Sequence, residues 1–136
     1  MPLSFARLST GFMFCVIATS AVSQQQDQNI VHRHTLADKE VLIRAHAEWN
    51  GSCVALAPPR IDVTDAPAHG HIDLRPGDAP LGSNYVGGTN CEGRMGPGIQ
   101  VIYVPDGAFH GSDVFTYEVQ YHRGTARTIQ AKISVE

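Results

Sequence analysis

The sequence predicts an all-β fold, a β-sandwich of about six or seven short strands. Two observations carry that prediction. Over residues 113–121, Phe115, Tyr117, Val119 and Tyr121 alternate with Thr116, Glu118 and Gln120. Over 125–135, Ile129, Ala131, Ile133 and Val135 alternate with Gln130, Lys132 and Ser134. A period of two puts each apolar set on one face of a half-buried strand, and the His122-Arg123-Gly124 turn between the runs predicts a hairpin. Turn residues also punctuate the chain at Asn50-Gly51, Pro58-Pro59, 66–70 and Pro105-Asp106-Gly107, with no sustained helical period between them.

The chain has 136 residues, enough for one domain and too few for a large cofactor enzyme. Its 43% hydrophobic content excludes disorder of the whole chain. Charged residues are sparse at 17%, the net charge is −3, and no two Lys or Arg are adjacent. Strong electrostatic binding to nucleic acid or to an anionic membrane is thereby disfavoured.

The first segment has the pattern of an export signal. Arg7 precedes an apolar run over 11–22, and Ala21-Val22-Ser23 places small residues at the first and third positions. The run is too short to span a bilayer, which needs about twenty residues. Residues 1–23 are therefore expected to be a cleaved signal peptide, with Cys15 inside it. Removal leaves Cys53 and Cys91, and an even count after export predicts one disulfide. Two metal-ligand thiols are the rival reading, but no Cys-x-x-Cys is present.

Residues 24–40 are polar and aperiodic, so a flexible lead-in is expected before a domain over 41–136. Val41, Ile43, Ala45 and Ala47 fall on one face of a strand. Ile61 and Val63 alternate with polar neighbours, as do Ile72 and Leu74, and the turn over 66–70 between them predicts a second hairpin. Residues 76–97 are rich in Gly, Pro, Asn and Ser, and predict a long irregular excursion pinned by Cys91, with a short strand near Tyr85 and Val86. A strand over 99–104 follows and ends at Pro105, which lacks a backbone donor.

Two stretches carry a family resemblance. Residues 61–74 contain Val63, Pro67, His69, Gly70, Ile72 and Leu74 in an x-V-x-x-x-P-x-H-G-x-I-x-L pattern. Residues 101–119 place Tyr103, Pro105, Phe109, Gly111, Asp113, Phe115 and Tyr117 at the spacing of a second pattern. Together they resemble bacterial Ig-like and cadherin-like modules of the VCBS type. That resemblance covers about residues 60–135 and implies a sandwich with Greek-key antiparallel sheets and an adhesive or scaffolding role. It implies no active site. The cysteine pair and the glycine-rich stretch over 76–98 depart from the family pattern.

The chemistry-bearing residues are few. His110, Ser112 and Asp113 hold the letters of a hydrolytic triad, but triad members normally converge from separate segments, so a turn entering a strand is expected. His32-x-His34 and His69-Gly70-His71 are two histidine pairs whose i, i+2 spacing puts both imidazoles on one strand face, able to hold zinc or copper. His46, His110 and His122 would supply a third ligand only through folding. Asp62, Asp65, Asp73, Asp78 and Asp106 are scattered singly and form no calcium loop. Trp49 is expected to pack beside the disulfide.

These readings predict an exported, non-enzymatic structural or binding module. It would be periplasmic, surface-held or secreted by a bacterium, and monomeric. It would have no cofactor, no nucleic-acid partner and no membrane span after cleavage. Its partner would be a protein or cell-surface component. A periplasmic copper- or zinc-binding protein is the alternative.

Overall fold

The computed structural model describes residues 29–82 and 90–136. The signal pattern over 1–23, the first residues of the lead-in and the strand expected near Tyr85 and Val86 lie outside them. Seven strands follow in order: β1 (Ile30–Thr35), β2 (Val41–Ala47), β3 (Arg60–Asp65), β4 (Gly70–Pro80), β5 (Met95–Pro105), β6 (Gly111–Gln120) and β7 (Ala126–Val135). The described residues contain no α-helix, and no helix among them is long and apolar enough to cross a membrane. One sheet has the order β1-β7-β6-β3 and the other β2-β5-β4. All pairings are antiparallel except β1 with β7.

The core follows from the alternation. Phe115, Tyr117 and Val119 of β6 and Ile129, Ala131, Ile133 and Val135 of β7 are all buried. They meet Ile43 of β2 and Val101 and Tyr103 of β5 from the facing sheet, so both sheets share one core. A smaller cluster lies apart from it: Ala47, Cys53, Ala79, Leu81 and Cys91, with Trp49 packed against them. Cys53 and Cys91 are joined by a disulfide with Cα atoms 5.5 Å apart. The bond ties the segment after β2 to the segment before β5.

Four expectations need correction. The lead-in is not wholly unstructured, because Ile30–Thr35 forms β1 and runs parallel to β7. Only Val31 of this strand is buried, so its sequence carries little apolar signal. Second, the runs around Ile61 and Ile72 are not a hairpin: β3 pairs with β6, and β4 with β5. The turn between them carries the chain from one sheet to the other. A hairpin and a corner show the same local alternation, and the partner is a tertiary choice. Third, the irregular excursion is shorter than expected, since β4 continues to Pro80 and β5 begins at Met95. Proline is tolerated there because β4 is an edge strand. Fourth, Leu74, expected to face inward from its alternation with polar neighbours, is 41% exposed, on a strand at the edge of its sheet.

The opposite side of the two layers is closed by a side chain. Arg33 of β1 donates from Nε to the Leu42 carbonyl at 3.0 Å and from Nη2 to the Ile43 carbonyl of β2. Two carbonyls on the β2 edge thus find donors in the facing sheet. The register of β2 shifts between Leu42 and Arg44. Past this bulge the inward positions change, and His46 is buried beside Ala47.

Candidate functional site

The residues of the two sequence patterns converge on one end of the molecule. Asp113, the third residue of β6, is buried. Its Oδ1 accepts from the amides of Ala68 at 3.0 Å and Val114 at 2.9 Å. Its Oδ2 accepts from the His69 amide and from the Tyr103 hydroxyl, both at 2.9 Å. The Phe109 ring stacks on His69 with centroids 4.2 Å apart. A Cβ on Gly70 would lie 2.5 Å from the Val104 carbonyl oxygen and 2.7 Å from the Tyr103 ring, so only glycine lets β4 start this close to β5. Burial works to raise the pKa of Asp113, but the amide and phenol hydrogen bonds outweigh it and hold it below the usual carboxylate value. Burial, with Asp113 alongside, pushes the Tyr103 phenol up.

This knot is structural. Among the described residues neither His110 nor Ser112 hydrogen-bonds Asp113, so the triad letters form no relay. Gly70→Ala should destabilise the fold by roughly 1–3 kcal/mol through overpacking, read as a lower urea midpoint at unchanged slope.

A second polar cluster lies where β2 ends. His46 Nε2 and the Tyr117 hydroxyl share a hydrogen bond of 2.9 Å between the sheets. Burial, then the positive charges of Arg44 and Arg127, lowers the His46 pKa to about 4. Glu48 is also buried. Its Oε2 accepts from the His122 amide at 3.0 Å and pairs with His122 Nδ1 at 2.8 Å. Burial opposes the charge on Glu48, and the His122 hydrogen bonds overcome it to lower its pKa. Its Oε1 is buried without a partner, as is Trp49 Nε1.

This cluster predicts acid sensitivity. Between pH 6.5 and about 4 the unfolded chain binds a proton at His46 that the folded chain refuses. Stability is then full above pH 6.5 and declines as pH falls to about 4. The loss from this group reaches about 3 kcal/mol, because each tenfold difference in proton affinity between the folded and unfolded chains is worth about 1.36 kcal/mol. Glu48 and Asp113, with lowered pKa values, remove further stability at lower pH. Urea unfolding across this range should show the slope, and His46→Gln should flatten its upper part.

The outer face of the four-stranded sheet carries the remaining chemistry. Register places His32 of β1 beside Lys132 of β7, and His34 beside Ser134. Ser134 and Lys132 in turn face Ser112 and Val114 of β6. These side chains and Gln130 line a groove of about 550 Å³. His32 and His34 share one face, as their spacing requires, but on an ordered strand with an ammonium next to them.

The other histidine pair is engaged differently. His69 is stacked on Phe109, and His71 Nε2 lies 3.7 Å from Asp73 Oδ1. Asp73 also accepts from Arg75, which makes a two-pronged contact with Glu40. These exposed ion pairs contribute little to stability. Among the described residues no group of three or more His, Cys, Asp and Glu is placed to hold a metal ion.

The site that sequence reasoning missed is the groove. Its β1 wall lay in the expected lead-in, and its β7 wall was visible only as the polar face of an alternating strand. No protein-family model and no curated protein sequence matches this chain.

Proposed function

We propose that the chain is an exported, non-enzymatic binding module of Ig-like or cadherin-like sandwich type, which meets its ligand on the outer face of β1, β7 and β6. The groove on that face is the observation that carries the reading. It gathers polar side chains from three paired strands, whereas the buried clusters around Asp113 and Glu48 are spent on holding the fold. The Ig-like type is supported by the strand order. β2-β5-β4 and β3-β6-β7 correspond to the B-E-D and C-F-G sheets of such sandwiches. Export is supported by the signal pattern over 1–23 and by the Cys53–Cys91 disulfide, a bond that persists in oxidising compartments.

The test uses protein exported through its own N-terminal segment. Its intact mass should correspond to cleavage after Ser23, and Cys53 and Cys91 should resist alkylation. Envelope material from the producing cells should be retained by this protein and lost by a Ser134→Trp variant that fills the groove. Alkylatable thiols in an uncleaved chain would refute export. Equal retention by wild type and the filled variant would refute the contact surface.

A further inference from the structure

We propose that the groove across β1, β7 and β6 binds a small phosphorylated molecule through its oxyanion group. The inference rests on the reading of this face as the contact surface, and adds the chemistry of the ligand. Lys132 supplies a fixed positive charge in register with His32. His34, Ser134 and Ser112 form the next row across the same three strands, and Gln130 flanks the first. Neighbouring strands lie about 4.8 Å apart, and same-face residues on one strand about 6.7 Å apart. N–H and O–H donors from three strands therefore stand close enough to reach a single acceptor-rich group from one side. Lysine serves such groups as a point charge, and hydroxyls adapt to their remaining oxygens.

The negative charges nearby do not cancel this. Asp113 lies against the groove and keeps its charge, but it is an inward position of β6, buried and in register with Ile133 rather than with Lys132, and its oxygens accept from Ala68, His69, Val114 and Tyr103. Glu118 stands on the same face of β6, four residues beyond Val114. That is about 13 Å along the strand, farther than the Debye length of about 8 Å at physiological salt. Glu136 lies past the end of β7 and does not line the groove. The Arg33 guanidinium is turned toward the carbonyls of Leu42, Ile43 and His32.

Sign and size then choose the ligand. A metal cation on His32 and His34 would be repelled by the adjacent ammonium of Lys132, whereas an oxyanion is attracted by it. The net charge of −3 opposes a long polyanion and tolerates one small local anion. A groove of about 550 Å³ falls in the range of small-molecule sites, roughly 300–1,000 Å³, and exceeds what a bare phosphate fills. Val114, 44% exposed, offers apolar contact to the organic part.

The experiment titrates inorganic pyrophosphate into the oxidised protein, followed by amide NMR shifts and calorimetry. Saturable binding should perturb the amides of β1, β7 and the start of β6. Lys132→Gln, an exposed substitution, should weaken it roughly tenfold, as expected for one charge-assisted hydrogen bond. Shifts that never saturate, or equal affinity in Lys132→Gln, overturn the assignment. So does equimolar copper binding that is lost in His32→Ala and His34→Ala while pyrophosphate leaves the spectrum unchanged. Retention of an acidic polymer without pyrophosphate binding also overturns it, and leaves the face as the contact surface of the module.

Discussion

Asp113→Ala is expected to destabilise the protein by roughly 3–5 kcal/mol, because it strips several charge-assisted hydrogen bonds of their shared acceptor at once. The carboxylate accepts four hydrogen bonds, and the substitution leaves the amides of Ala68, His69 and Val114 without their acceptor. These bonds are part-buried, so each amide left without its acceptor costs toward the low end of about 1–3 kcal/mol. The Tyr103 hydroxyl escapes, because the His69 carbonyl lies 3.2 Å away. Tyr103→Phe should therefore cost only about 1 kcal/mol, and the double variant should lose less than the sum. Asp113→Asn should fall between, since its NH2 group faces a donor where the carboxylate offered an acceptor. Equilibrium urea unfolding measures all four proteins. A loss below about 1 kcal/mol for Asp113→Ala would mean that water replaces the carboxylate without difficulty.

Replacing Cys53 and Cys91 with Ser is the other change of this size. The disulfide closes a loop with a sequence separation of 38. The chain-entropy model assigns such a loop about 4 kcal/mol of stability, a large share of the roughly 5–15 kcal/mol of an ordinary domain. Both cysteines are buried, with relative exposures of 8% and 1%. The Ser pair would also place two hydroxyls beside Leu81 and Trp49 in the smaller cluster. Chemical reduction of the wild type isolates the cross-link from that second effect. Hydrogen exchange should then quicken around Asn50 and Arg94, whose amide bonds to Val54 and Cys91 flank the bridge. An unchanged urea midpoint after reduction would show that the loop is held by packing alone.

The alternating strands were legible because one face of each meets the core. Val119 and Ile133 are buried, while Gln120 and Lys132 stand exposed, so burial wrote the period of two directly into the sequence. Strand partners were not legible. Ile61 and Ile72 alternate alike whether their strands pair with each other or with β6 and β5. Edge strands were fainter still. β1 is held by backbone pairing to β7 and by Arg33, and neither leaves an apolar pattern. The groove shares that fate, since its β1 wall is such an edge. The aspartate at 113 was readable as a turn-shaping residue. Its meeting with Tyr103 and His69 required the fold, because ten residues in one case and more than forty in the other separate the partners.

The parallel pairing of β1 with β7 also sets how the molecule meets mechanical load. Tension applied to the chain before Ile30 and after Val135 pulls these adjacent strands in opposite directions along their length. Six register pairs, from Ile30↔Gln130 to Thr35↔Val135, then resist together in shear rather than opening one after another like a zip. Forced unfolding is governed by the rate of escape over the barrier, and a barrier that breaks several hydrogen bonds at once is high. Arg33 adds a transverse tether from β1 to the facing sheet. The feature that the sequence concealed best is therefore the one that would let this fold bear a pull between its two ends.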